Sequence, residues 1–222
     1  MKKEERAGEH IQDVNALLSD IKNLRKTSDK KVYVAGLTWQ GSNELTTTFP
    51  TYLPLMLSGG INAHGGSETS RVVMDPEAIT KIPMDYFVID PSSSDKLSTS
   101  NSQFILSWLY AKNTDNSATN DIRLFATIPM IWDSANYDCV LAGAYYLNHI
   151  LYDTIDETEL MQKIQDVFTA YYGAKGKDVY QKMYDFFEEK SFMNKQEMPL
   201  LHELDVIKTG SIYSLRAREN SN

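Results

Sequence analysis

Residues 31–54, KVYVAGLTWQGSNELTTTFPTYLP, set the terms for the rest of the chain. The stretch opens as a strand: Val32, Tyr33, Val34 and Ala35 are β-branched, aromatic or small, and Gly36 ends the run. A loop follows that carries Trp39 and a set of amides and hydroxyls: Gln40, Ser42, Asn43, Thr46, Thr47 and Thr48. Pro50 then turns the chain into a second apolar segment. A buried strand that opens into a polar, aromatic-bearing loop is how open α/β sheets form binding sites at their carboxyl edge. The same pattern also fits a surface loop that holds no ligand.

The strand-and-loop pattern recurs downstream. Residues 86–90, YFVID, read as a buried strand followed by a Ser/Thr/Asn loop over 91–102. Residues 122–128 read as a third strand, stopped by Pro129, and a second aromatic loop runs through Trp132, Asn136 and Tyr137 to Asp138. Helical spacing marks 103–112, 139–152, 157–172 and 177–190. Residues 71–74 read as a short strand, and Asp75, Pro76 and Glu77 as a helix start. Alternating strands and helices predict an α/β fold: a Rossmann-like lobe with a small, mostly parallel sheet flanked by helices. Parallel strands would place the polar loops on one edge.

A long amphipathic helix precedes the lobe. Ala7, Ile11, Val14, Leu17, Leu18, Ile21 and Leu24 recur at three- and four-residue steps, and this stripe requires a partner surface. The chain therefore divides into a helix over 1–28, an α/β domain over 29–190, and a tail over 191–222. The tail holds only short apolar pieces, such as Val206 with Ile207 and Ile212 with Tyr213.

Composition removes several function classes. A net charge of −8 and the absence of a basic stripe argue against nucleic acid. A single cysteine, Cys139, excludes an intramolecular disulfide and a multi-cysteine metal site. No apolar run reaches the length of a membrane span, so membrane insertion is not expected. The first ten residues, MKKEERAGEH, have no apolar region behind their lysines and do not read as an export signal. No phosphate loop, nucleophile elbow or dinucleotide fingerprint is present, and no catalytic residue or cofactor is assigned. His64, in a loop beside Gly65 and Gly66, is the one weak metal candidate. His10, His149 and His202 do not converge with it in sequence.

Three stretches together resemble a known family. Leu57 to Ala63, LSGGINA, is similar to a helix followed by a glycine pair and an Asn. Residues 73–79, VMDPEAI, are similar to a strand-to-helix step, and 82–90, IPMDYFVID, to the start of the next strand. At these spacings they resemble the C-terminal lobe of class III periplasmic substrate-binding proteins, the siderophore, haem and cobalamin type. Residues 132–146, WDSANYDCVLAGAYY, with Leu151 and Tyr152, narrow the resemblance to an iron-complex branch found in anaerobes and archaea. Residues 46–54, TTTFPTYLP, point the same way. The resemblance covers roughly residues 2–190 and would make the opening helix the end of a lobe-connecting helix.

That resemblance implies a non-catalytic role: ligand capture between two lobes for an ABC importer, and delivery to its permease. The ligand would be an iron complex or a corrinoid- or haem-like macrocycle. A second lobe or self-association would complete the cleft, in a periplasmic or membrane-associated extracellular setting. Trp39, Ser42, Asn43, Thr46, Thr47, Tyr52, Trp132, Asn136 and Tyr137 are the implied ligand residues. Trp39 and Trp132 also read as rim aromatics that pack on their own lobe. Asp138 reads equally as a first-turn helix acid. Permease docking in the family uses a Glu where this chain has Phe49. Glu44 lies near but is not equivalent, so the contact is weakened. Two other readings remain open: an α/β enzyme using Asp90 and Asp138 as acid–base groups, and a degenerate half-protein that serves as an interaction module.

Overall fold

The structure is a computed structural model that describes residues 2–38, 44–114, 121–130, 135–188 and 200–218. The chain runs α1 (Lys2–Asn23), β1 (Lys31–Ala35), β2 (Thr47–Thr48), α2 (Leu53–Ser58), β3 (Ile61–Asn62), β4 (Val72–Val73) and α3 (Pro76–Ile79). It continues through β5 (Tyr86–Ile89), α4 (Ser100–Thr114), β6 (Arg123–Ala126), α5 (Tyr137–Tyr152), α6 (Glu157–Tyr172) and α7 (Gly176–Glu188). A hairpin of β7 (Glu203–Thr209) and β8 (Ile212–Ala217) follows.

The described strands form a six-stranded sheet in the order β3-β1-β5-β6-β7-β8. The first four are mutually parallel, and β7 and β8 are antiparallel. The expected α/β lobe with a mostly parallel sheet is therefore present. β1, β5 and β6 are nearly continuous apolar runs because helices cover both faces. Val32, Val34, Val88 and Phe125 face the layer of α1, α2, α5, α6 and α7. Tyr33, Ala35, Phe87, Ile89, Leu124 and Ala126 face α3 and α4.

Helix α5 is buried nearly all round because it lies between the sheet and α6. Its residues from Asp138 to Asn148 are all buried. That position explains a segment with no polar face.

Helix α1 finds its partner within this chain. Ile21 is buried, and Val14, Leu17, Leu18 and Leu24 pack on the α5–α6 layer. The Asp20 carboxylate accepts from Tyr145 Oη at 2.8 Å and from Lys163 Nζ at 2.8 Å. Asn148 Nδ2 donates to Ile21 O at 3.0 Å. The C-terminal half of the stripe thus needs no second lobe, while Ile11, nearer the start, is 61% exposed.

Two elements differ from the sequence expectation. The strand read over 71–74 is β4, and it pairs antiparallel with β2 in a separate two-stranded ribbon rather than in the main sheet. The tail contributes β7 and β8, which extend the sheet beyond β6. Leu204 and Leu215 anchor the hairpin in the core. No helix of the described residues is long and apolar enough to cross a membrane.

Candidate functional site

The carboxyl ends of β1, β5 and β6 converge on Asp90, the first residue after β5. Asp90 is fully buried. Its Oδ1 accepts from Ser92 N at 2.9 Å, which caps the 3₁₀ turn over Pro91–Lys96. Its Oδ2 accepts from Met130 N at 3.1 Å, across to the segment that follows β6. Its main chain joins the same knot: Asp90 N donates to Ala35 O at 2.9 Å, and Ser93 Oγ donates to Asp90 O at 2.8 Å. One residue, through its carboxylate and its main chain, therefore ties together the ends of all three strands. Burial pushes its pKa up to about 6, against the opposing pull of the Ser92 and Met130 hydrogen bonds and of the Arg71 charge.

Gly36 permits this close approach. Its φ is +83°, and a Cβ there would lie 2.6 Å from Ser93 Oγ. The segment that follows then folds back along β1. Gly36 N donates to Thr47 O at 2.9 Å, and Thr48 Oγ1 donates to Val34 O at 2.6 Å.

Buried hydroxyls gather around this knot. Tyr52 is fully buried, and the field of Asp90 adds to burial in raising its pKa. The Thr127 hydroxyl meets that of Tyr52 and opposes this rise, while among the described residues the buried Thr46 and Thr47 hydroxyls have no hydrogen-bond partner. Arg71, half-buried just before β4, is the cation whose charge reaches Asp90, and its guanidinium donates to Thr38 O. Nothing in the sequence reading singled out Arg71. The available signal was one arginine in a polar, glycine-rich stretch that leads into a short strand.

The start of α5 forms the other part of the edge. Asn136 N donates to Met130 O at 3.0 Å, which places the helix start directly after the β6 segment. Tyr137 is 62% exposed. Asp138, next in sequence, is buried. Its Oδ1 accepts from Cys139 N at 2.8 Å and its Oδ2 from Tyr172 Oη at 2.7 Å. The first-turn-acid reading of Asp138 agrees with its position. Cys139 is buried beside it, and burial followed by the Asp138 charge pushes its thiol pKa up, which leaves the sulfur protonated and inert.

The expected ligand residues separate into three groups. Trp39, Ser42, Asn43 and Trp132 lie outside the described residues. Thr46, Thr47 and Tyr52 point into the interior beneath the edge, as the folded-back segment and α2 require. Asn136 and Tyr137 stand at the surface of the edge, half-buried and exposed respectively. Glu44 Oε2 accepts from Asn101 Nδ2 at 2.8 Å, and Phe49 packs on the core. His64 Nδ1 accepts from Gly66 N at 3.2 Å within its own turn. Among the described residues, no group of three or more His, Cys, Asp or Glu side chains is placed to hold a metal ion.

Two crevices lie elsewhere, and neither includes Asp90, Arg71 or Tyr137. One, of about 430 Å³, runs between α1 and α6. The other, of about 920 Å³, lies among Tyr86, Arg123, Tyr146, Tyr180 and Glu203 at the amino edge of the sheet.

No protein-family model matches the chain. No curated protein matches it either. Among solved structures, it is similar to a periplasmic solute binding protein from Veillonella parvula, at 16% identity and a TM-score of 0.44. That similarity covers 76% of this chain and 50% of the other, so the match spans half the length of the other protein.

Proposed function

We propose that this chain is a ligand-holding lobe of a solute-binding protein that serves an ABC importer. The ligand is an iron complex or a related metallo-macrocycle, held without chemical change at the carboxyl edge. The observation that carries this reading is how the edge uses its two carboxylates. Asp90 is fully buried and spent on two main-chain N–H groups, and Asp138 is spent on a phenol and a main-chain N–H. Neither is open to pass a proton to a substrate, as general acid–base catalysis requires. What this edge presents to solvent is the Asn136–Tyr137 surface, a binding chemistry. The motif resemblance across residues 2–190 supports the same class and supplies the iron-complex branch.

In this reading the cleft has a second wall, supplied by another lobe or another copy of the chain, and delivery is to a permease. Periplasmic or extracellular residence follows from that role. One wall alone binds weakly, because the ligand keeps half its surface in water. Titrating the monomer with haemin, cobalamin and ferric siderophores, read by absorbance and calorimetry, tests both parts. Weak binding of at least one metal complex is expected. Turnover of a ligand would overturn the non-catalytic reading, and sub-micromolar binding by a monomer would overturn the half-cleft.

A further inference from the structure

The amino ends of β5 and β6 open onto the crevice of about 920 Å³, at the opposite end of those strands from Asp90. A volume of roughly 300–1,000 Å³ holds a drug-sized ligand. The hairpin supplies one side through Glu203 and Ala217, while the last turn of α5, the start of α6 and α7 supply the other. Apolar and aromatic side chains make up most of the wall, Phe125, Leu160 and Met161 among them. The charges beside them are spent on one another. Glu203 accepts from Arg123 Nε at 3.0 Å, from Arg123 Nη2 at 2.6 Å and from Arg218, whose Nε donates to Asp205 at 2.8 Å. Two guanidinium groups thus meet two carboxylates. Asp153 and Glu157, the other acids of the wall, are exposed to solvent. Two uncharged polar groups of the wall keep capacity for a ligand. Tyr146 is 2% exposed, and among the described residues no group hydrogen-bonds its hydroxyl. A buried hydroxyl in that state costs free energy that a ligand can recover. His149 Nδ1 lies 2.8 Å from Ile155 O. A carbonyl can only accept, so Nδ1 carries the proton and Nε2 of the neutral ring is left as an acceptor. The two residues are three apart on α5 and share a face of the helix.

We propose that this crevice is a second binding site, one that takes an uncharged molecule of two or three rings bearing a hydroxyl or amide group. It is separate from the carboxyl edge and does not depend on the capture of a metal complex there. The ring system covers the apolar wall, and the polar group finds a donor in Tyr146 and an acceptor in His149. An anion gains little, because both guanidinium groups already hold carboxylates and Asp153 and Glu157 repel it. A cation gives up its hydration and finds no unpaired buried carboxylate in the wall. The site therefore selects by charge as well as by size.

Four probes of one shape test this by calorimetry near neutral pH: naphthol, the naphthoate anion, the naphthylmethylammonium cation, and naphthalene, which has no polar group. They are titrated into the full chain, Tyr146→Phe and Ala217→Trp. Naphthol is expected to bind the wild type, with both charged probes at least about tenfold weaker. Tyr146→Phe keeps the ring and removes the hydroxyl, so it should weaken naphthol about three- to tenfold and leave naphthalene unchanged. Ala217→Trp puts a large side chain into the crevice and should abolish binding of both. Urea unfolding verifies that the variants fold, and Tyr146→Phe decides the matter if Ala217→Trp does not. No binding of naphthol, equal binding of a charged probe, or wild-type naphthol binding by either folded variant overturns the proposal. Each of these outcomes leaves the metal-complex titration untouched, so the reading of the carboxyl edge stands or falls separately.

Discussion

The Gln103 side chain pairs with both main-chain groups of Tyr213. Its Nε2 donates to Tyr213 O at 2.8 Å, and its Oε1 accepts from Tyr213 N at 2.9 Å. An amide side chain on α4 thereby does what a neighbouring strand would do for β8, the outermost strand of the sheet. Nε2 also donates to Leu97 O at 2.8 Å, which holds the amide in place. Unpaired edges invite pairing with other chains, and this contact covers part of one.

Gln103→Ala should therefore act twice. Loss of these bonds is expected to lower stability by about 1–2 kcal/mol. The uncovered edge should also raise self-association as protein concentration increases. Urea unfolding checks the first effect and light scattering across a dilution series checks the second. A stability loss without added association would mean that the contact only braces the hairpin.

Asp90 makes stability depend on pH in a defined direction. Its folded pKa, about 6, lies above the ordinary aspartate value. An acid whose pKa rises on folding contributes stability at low pH, and that contribution is lost as pH climbs through the folded value. Asp90 should thus contribute stability below about pH 4 and lose it by about pH 7. The difference in unfolding free energy between wild type and Asp90→Asn should shift over that interval. Asp90→Ala strands two N–H groups and should cost about 2–4 kcal/mol at any pH.

Gly36→Ala should destabilise by about 2 kcal/mol or more, since the left-handed backbone alone costs roughly 1–2 kcal/mol and the added methyl meets Ser93. A lowered denaturation midpoint checks this. An unchanged midpoint would show that the 3₁₀ turn moves aside cheaply.

Asp20→Ala should loosen α1 while sparing the sheet. The variant loses the bonds from Tyr145 and Lys163, both at a partly exposed site, so a loss of about 1 kcal/mol is expected. Hydrogen exchange should quicken in α1 and stay slow in β1, β5 and β6. Uniform quickening would show that α1 and the sheet unfold as one unit.

The Tyr172 phenol should titrate late. Its hydrogen bond to Asp138, then burial, pushes its pKa up to about 12. In Asp138→Ala the phenol should ionise closer to the ordinary tyrosine value of about 10. Ultraviolet difference absorbance during an alkaline titration reads the change. No change would place the shift elsewhere.

The sequence made the centre of the sheet legible and its margins obscure. β1, β5 and β6 are buried on both faces, so their uninterrupted apolar runs announced them. β2, β3 and β4 are two residues each, too short for a pattern. β7 and β8 carry a mixed one: β7 has Leu204 buried, Asp205, Val206 and Ile207 only partly covered, and Lys208 and Thr209 exposed. Such strands are specified by what they pair with, and the pairing is distant in sequence. The polar edge was visible as a class of residues but not in its geometry. The threonines that looked available to a ligand are β-branched and turn inward with the folded-back segment, while Arg71 is brought to Asp90 from a different loop. The Asp138–Tyr172 bond joins residues on two helices, and no local spacing foretells it.

The order in which the sheet is built carries a cost during synthesis. β6 gains its outer neighbour only when Glu203 and Leu204 arrive, after α5, α6 and α7 have been made. Until then Leu124 and Phe125 present a bare edge to the crowded surroundings of the ribosome. A nascent chain halted between α7 and β7 would hold three finished central strands and one open flank, the form most prone to aggregate. The Arg123–Glu203 pair, bidentate at 3.0 and 2.6 Å, then works as a latch on a door that closes last.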